Sequence, residues 1–150
     1  MLGKRNDKKT KSIIVRLCAM LLLVLLSLPS YSAVVIVNGS TGASTMSLSE
    51  VRAIFSMRLR RWENGMAVSV FVLKADSTAH ADFCKTVLNI YPQQLQAAWD
   101  RIVYSGTGNA PTVVNSEEEM RAAIANTPGA IGYVSGDGIG LTGVKAVSLK

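Results

Sequence analysis

The chain has 150 residues, a formal net charge of +6 at pH 7, one histidine and two cysteines. This length suits one domain with its own hydrophobic core and is short for two. So few histidines and cysteines disfavour a metal centre built from these ligands. The positive charge does not by itself indicate nucleic-acid binding, because such binding requires a basic face on the folded domain.

The N-terminal segment has the three parts of a secretory signal peptide. Six basic residues between positions 4 and 16 are followed by an apolar run, Leu17–Leu28, which Pro29 ends. Ser30 and Ser32 lie three and one positions before Ala33, where a signal peptidase accepts small side chains. We therefore expect cleavage between Ser32 and Ala33.

Two forms of membrane attachment compete with this interpretation. An uncleaved anchor needs about 20 apolar residues, and the stretch Ile13–Leu28 is shorter. A lipid anchor needs a cysteine after the apolar run, whereas Cys18 lies at its start. The sequence therefore predicts a signal peptide over residues 1–32 and one periplasmic domain over residues 33–150, with no membrane attachment after cleavage. Removal of the signal lowers the net charge to +1 and takes away the basic segment.

The first half of the predicted domain contains a strand, a helix and a second strand. Val34–Val37 is a continuous β-branched run, which is typical of a strand buried on both faces. Ser47 and Glu50 form a capping box at the start of a helix over Leu48–Phe55. After a charged connection and a turn, Val68–Leu73 has the pattern of the second strand.

Three further helices are expected in the second half. The first is capped by Asp76, Ser77 or Thr78, and the next begins at Pro92, which suits a first helical turn. The last begins after Ser116 in a second capping box.

The C-terminal part is predicted to return to β-structure. Pro128 and Gly129 suit the central positions of a type II turn, which leads into a strand over Ala130–Val134. A glycine-rich loop separates this strand from a last one near Val144–Leu149. Because strands alternate with helices, we predict an α/β fold with a mixed, mainly parallel sheet flanked by helices.

Cys84 is the one cysteine left after signal cleavage, so the domain cannot form an intramolecular disulfide. It lies on the same helical stripe as Phe83, Val87 and Leu88, which favours a small buried core residue. The alternative is an intermolecular disulfide in an oxidising compartment.

The segment from Lys74 to His80 joins a predicted buried strand to the start of a helix. Helix N-termini attract anions through unpaired N–H groups and the helix dipole, and the hydroxyls of Ser77 and Thr78 add uncharged donors. The alternative is that Asp76 or Ser77 only caps the helix.

Signatures of enzymes are missing from the sequence. It contains no nucleophile-elbow, Walker or dinucleotide-binding motif. His80 and Cys84 are four positions apart but lack further ligands for a metal site. We therefore predict that the protein is not an enzyme and uses no cofactor.

The order of several short motifs resembles the substrate-binding proteins of bacterial phosphate ABC transporters. The motifs are LSEVRAIF at 48–55, Trp62 with Gly65, DST at 76–78, Phe83 with Val87 and Leu88, and PGAIGYV at 128–134. The resemblance covers most of residues 33–150, and PGAIGYV is its most specific part. It implies the periplasmic-binding-protein fold reduced to one lobe, because the two-lobed members are much longer.

The resemblance also implies a ligand and a site. In this family phosphate is held between two lobes by hydroxyls, helix N-terminal amides, an arginine and an aspartate. On this sequence it assigns ligand binding to Asp76, Ser77, Thr78 and His80, although both glycines of the family's Asp-Gly-Ser-Gly-Thr pattern are absent. It implies phosphate or a similar oxyanion as ligand, and an ABC permease or another periplasmic protein as partner.

A second functional hypothesis concerns the arginines at 58, 60 and 61. On this hypothesis the domain has lost its ligand and presents Arg58, Arg60 and Arg61 to a periplasmic protein. A solvated loop is the alternative interpretation of the same residues. Trp62 is expected to pack beneath the loop rather than to contact a ligand.

Overall fold

The computed structural model describes residues 33–136 and 142–150. The expected signal peptide, with Cys18 and Ser32, lies outside these residues, as does the middle of the glycine-rich loop. Within the described ranges, no helix is long and apolar enough to cross a membrane.

Seven strands and four α-helices make up the described part of the domain. The strands are β1 (Ala33–Asn38), β2 (Thr45–Met46), β3 (Ser69–Leu73), β4 (Thr112–Val114), β5 (Ala130–Ser135), β6 (Val144–Ala146) and β7 (Ser148–Leu149). The helices are α1 (Leu48–Phe55), α2 (Thr78–Phe83), α3 (Pro92–Tyr104) and α4 (Glu117–Asn126). A 3-10 turn over Gly39–Thr41 follows β1, and a π-helical segment over Cys84–Leu88 continues α2.

Five of the strands form one sheet in the order β4-β3-β5-β1-β6, and β2 pairs with β7 separately. β3 runs parallel to β4 and β5, whereas β1 is antiparallel to β5 and β6. The pair of β2 and β7 is parallel, so three of the five strand pairs are parallel. The predicted mixed, mainly parallel α/β sheet is confirmed.

The sheet is most deeply buried at β1 and β5, as the apolar run in β1 predicted. Gly132 lies in the middle of β5, where α4 packs against the sheet. A Cβ atom here would clash with the Met120 side chain and would lie 2.7 Å from Ile124 Cδ1. The close packing of α4 on β5 therefore favours glycine at this position, because a larger residue would displace the ends of the Met120 and Ile124 side chains.

The helix boundaries follow the predicted capping residues. Ser47 and Glu50 form the reciprocal capping box before α1. Ser116 caps α4, but the carboxylate of Glu119 accepts hydrogen bonds from Asn115, so the second capping box is incomplete.

The predicted turn before β5 is confirmed. Gly129 has a φ of 75°, and the Ala130 amide donates to the Thr127 carbonyl over 3.1 Å. The predicted last strand is divided into β6 and β7 at Val147, whose amide bonds to the Val35 carbonyl.

Candidate functional site

The junction between β3 and α2 is a tight turn followed by a capped helix. The Ser77 amide donates to the Lys74 carbonyl over 3.0 Å, which closes the turn. The Ser77 hydroxyl accepts a 3.1 Å hydrogen bond from the His80 amide, so Ser77 is the N-cap of α2. Capping uses a lone pair of the Ser77 oxygen and leaves the hydroxyl hydrogen available to a ligand.

Several hydrogen-bond donors remain available at this helix start. Within the described residues, the amides of Thr78 and Ala79 have no acceptor. Asp76 and Thr78 are exposed, and Ser77 is half-buried. Helical structure continues from Thr78 to Leu88, so the positive end of its dipole lies at these donors.

The structure places the His80 ring beneath α2 rather than at its exposed start. The residue is 2% exposed, with Nδ1 2.5 Å from Tyr133 Oη and Nε2 3.6 Å from Cys84 Sγ. In the part of the chain that the structure describes, no three metal-binding side chains cluster together. Of the four residues assigned to the site, three lie at the exposed junction, and His80 supports it from the core.

One arrangement of hydrogens satisfies the His80 ring, the Tyr133 hydroxyl and the Leu73 amide together. The Tyr133 hydroxyl accepts a 3.0 Å hydrogen bond from the Leu73 amide and donates to Nδ1 of His80. Nε2 then carries the ring hydrogen and faces Cys84 Sγ, a weak acceptor. The opposite tautomer would leave the buried tyrosine hydrogen without an acceptor, at a cost in free energy. The cluster therefore joins the end of β3 to the first turn of α2 through β5.

Burial keeps the titratable groups of this cluster uncharged at neutral pH. It lowers the pKa of His80, because it disfavours the charged imidazolium. It raises the pKa of the Tyr133 phenol well above its usual value and that of the Cys84 thiol to about 11. Cys84 is free and buried, as its helical stripe predicted.

Aromatic packing holds Tyr133 in position. The Phe83 ring stacks on it with centroids 3.8 Å apart and planes 4° apart, and Phe55 packs edge-on against Phe83. The importance of Tyr133 for the junction was not predicted. The signal for it in the sequence is a hydroxylated ring within the apolar strand AIGYV, because a buried tyrosine hydroxyl needs a partner.

The exposed arginine loop is bonded to the main chain. Arg60 donates to the carbonyl oxygens of Met57 (3.0 Å) and Thr107 (2.6 Å). Arg61 donates to the carbonyl of Gly65 over 3.0 Å. The loop is therefore attached to the segment that follows α3 as well as to its own turn.

Trp62 packs beneath this loop, as expected. It is 9% exposed, and its indole N–H donates to the Gly129 carbonyl over 2.9 Å. The side chain thus connects the loop to the turn before β5 and is not available as a surface for a ligand.

Several solved structures with a similar fold are described as phosphate receptors or phosphate-binding proteins. An ABC-type phosphate transport receptor from Vibrio cholerae is 16% identical, with a TM-score of 0.60 over 79% of this chain and 46% of the receptor. A protein of Clostridium perfringens solved with bound phosphate, and described as a phosphate ABC transporter substrate-binding protein, is 13% identical, with a TM-score of 0.61 over 79% and 45%. PstS from Borrelia burgdorferi is 14% identical, with a TM-score of 0.59 over 79% and 47%.

These likenesses concern the fold. No protein-family model and no curated protein sequence matches the chain. The chain spans less than half the length of each of the three receptors. It therefore has the fold of phosphate ABC transporter substrate-binding proteins over a part that corresponds to one lobe, as its motif order predicted.

Proposed function

We propose that this chain is an exported binding module for phosphate or a related small oxyanion. The observation that carries the proposal is the exposed start of α2, where the amides of Thr78 and Ala79 have no acceptor among the described residues. Preorganised donors at the positive end of a helix suit an anion. The similar solved proteins are phosphate receptors, which supports the same class of ligand here.

The side chains at the junction have different roles in this proposal. The hydroxyls of Ser77 and Thr78 donate to the oxyanion beside the two free amides. The carboxylate of Asp76 offers acceptors and no donor, so it favours a protonated oxyanion such as hydrogen phosphate over sulfate. His80 does not touch the ligand in this proposal. Its backbone amide orients the Ser77 hydroxyl, which does. Asp76→Asn should therefore reduce the preference for phosphate over sulfate.

We expect weak binding by the chain alone, because its donors come from one helix start. A fully buried oxyanion needs hydrogen bonds on all sides to offset the loss of hydration. At an open junction the ligand keeps part of its water instead. An ABC permease or another periplasmic protein that covers the start of α2 would supply the missing donors and raise the affinity.

Replacing Ser77 and Thr78 together by alanine tests the site. We expect the binding free energy to weaken by about 1.5–3 kcal/mol for each lost hydrogen bond to the charged ligand. Calorimetric titrations with phosphate and sulfate, and with acetate as a carboxylate control, measure the change. Ser116→Ala is the matched control, since Ser116 caps α4 through the same 3.1 Å hydrogen bond as Ser77 caps α2.

The control variant separates loss of ligand contact from loss of a helix cap. Ser116→Ala should lower stability by about 1 kcal/mol and leave phosphate affinity unchanged. All variants are compared at a temperature at which each is fully folded. If the unmodified protein binds none of these anions at millimolar concentration, the oxyanion-binding proposal is wrong.

A protein-interaction module is the alternative function, and the arginine loop favours it. Arg58, Arg60 and Arg61 are exposed, and Leu59 between them is 39% exposed. A cationic surface with an exposed apolar residue suits an acidic protein partner. On this alternative, crosslinking in cells captures a periplasmic protein, and Arg58→Glu with Arg61→Glu abolishes the crosslink while phosphate has no effect.

A further inference from the structure

A cavity lies away from the start of α2, between α1, the π-helical segment and α3. Its volume is about 240 Å³, and none of its lining residues belongs to the junction at 74–80. Its apolar lining consists of Leu88, Ile90 and Leu95. The cavity is smaller than the pockets of roughly 300–1,000 Å³ that hold drug-sized molecules, so it suits a small ligand.

Two arginines on the cavity wall are held in place by internal hydrogen bonds. The Nε–H of Arg52 donates to the Leu88 carbonyl at the end of the π-helical segment over 2.9 Å. The Nε–H of Arg58 donates to Ser56 Oγ over 3.0 Å. Within the described residues, the terminal N–H groups of both guanidiniums have no acceptor. Both guanidiniums are therefore oriented but keep donors for a ligand.

The other polar groups of the cavity are engaged through their acceptor atoms. Ser56 Oγ accepts from Arg58 and donates to the Arg52 carbonyl over 2.6 Å. Oε1 of Gln94 accepts a 2.9 Å hydrogen bond from the Tyr91 amide. This leaves the Gln94 amide hydrogens as donors beside the two guanidiniums. The polar side of the cavity thus offers mainly donors.

Among the described residues, no carboxylate forms an ion pair with these arginines. Neither the cavity nor the adjoining one of about 430 Å³ is lined by aspartate or glutamate. The ion pair that the described residues form joins Glu117 and Arg121 on α4. The adjoining cavity shares Ile90 and Gln94 with the first and adds the ammonium of Lys85. Both cavities therefore favour an anion.

We propose that this cavity binds a small organic carboxylate with an apolar body. The carboxylate accepts hydrogen bonds from Arg52, Arg58 and the Gln94 amide, and guanidinium groups match its planar geometry. The apolar body lies against Ile90, the half-buried apolar residue of the wall, and leaves water there. Inorganic phosphate has no apolar body, so this site differs in ligand chemistry from the start of α2.

Titration of the purified, 15N-labelled protein with 3-phenylpropionate tests the proposal by NMR. We expect saturable shifts of the Arg52, Leu88 and Gln94 signals. The neutral analogue 3-phenylpropanol should bind about 10-fold more weakly or worse, because it lacks the charged acceptor. Arg58→Gln should weaken 3-phenylpropionate binding by about 10-fold or more. Arg101→Gln is the control, since Arg101 is exposed on α3 and does not line the cavity.

The site would be overturned by the absence of saturable shifts up to about 10 mM ligand, by equal binding of the alcohol, or by equal losses in the Arg58 and Arg101 variants. Shifts confined to Ser77 and Thr78 would also overturn it, by assigning the carboxylate to the start of α2. The alanine variant at Ser77 and Thr78 should bind 3-phenylpropionate normally, so this proposal and phosphate binding can fail independently.

Discussion

The hydroxyl of Tyr133 joins the two segments that carry the candidate site. It accepts a hydrogen bond from the Leu73 amide at the end of β3 and donates one to the ring of His80, which is 53 positions away in the sequence. The hydroxyl is buried, so its loss would leave both partners unpaired in a region that water does not reach. The geometry of the junction therefore depends on a residue of β5.

Tyr133→Phe should lower the free energy of unfolding by about 1–3 kcal/mol. The variant keeps the ring that stacks on Phe83 but removes the partner of Leu73 and His80. Denaturant unfolding measures the change. Tyr104→Phe is the control, because Tyr104 is 89% exposed, and it should change stability by less than about 0.5 kcal/mol. Equal stabilities of the two variants would contradict the role of the hydroxyl.

His80 is the single histidine of the chain, so its titration can be isolated. Burial lowers its pKa in the folded state below the ordinary value of 6.5. Between these two pKa values the unfolded chain binds more protons, so acidification favours unfolding. The stabilisation from neutral His80 is complete above pH 6.5 and is lost as the pH falls from 6.5 to the folded pKa.

We therefore expect a lower free energy of unfolding at about pH 5.5 than at about pH 7.5. Carboxylates of ordinary pKa do not titrate appreciably in this interval. His80→Gln should remove the difference, which urea unfolding at the two pH values measures. If the variant keeps the same pH dependence, other groups cause it.

The contact between α4 and β5 limits which residues the sheet accepts. Gly132→Ala should cost about 1–3 kcal/mol, because its methyl group overlaps Met120 and Ile124. Gly39→Ala is a suitable control, since the nearest heavy atom to an added Cβ there is 3.6 Å away. Denaturant midpoints compare the two variants, and a tolerated Gly132→Ala would mean that α4 shifts readily on the sheet.

The helices and strands differ in how far their bounds can be predicted from their own residues. The bounds of α1 were predicted correctly, because the capping box of Ser47 and Glu50 acts within one helical turn. β2 and β4 were not predicted. They contain two and three residues, and their strand geometry depends on pairing with β7 and β3. Segments this short carry too little of the alternating pattern to be recognised.

At the scale of the whole molecule, export remains a prediction from residues 1–32. Mass spectrometry of the periplasmic fraction should detect a chain that begins at or near Ala33. Ser32→Trp should block cleavage, because a signal peptidase accepts small residues at this position. Full-length protein retained in the membrane fraction of cells that express the unmodified chain would contradict cleavage.

The chain spans less than half the length of each of the three similar receptors, so the likeness covers a part of each receptor that corresponds to one lobe. The start of α2 supplies donors without a facing partner in the described residues. On the proposed function, we therefore expect weak binding by the chain alone and stronger binding when a second surface covers the site. The motif order predicted this likeness, and PGAIGYV accounts for the turn and the buried strand of the fold.

Local chemistry accounts for what could be predicted. Four features depend on residues that are a few positions apart in the sequence. They are the burial of β1, the start of α1, the turn at Gly129 and the capping role available to Ser77. Packing of distant elements decided the rest. Trp62 bonds to Gly129 across 67 positions, and Arg52 bonds to Leu88 across 36. A sequence pattern shows that a buried polar group needs a partner, but the partner's identity depends on which elements lie side by side in the folded chain.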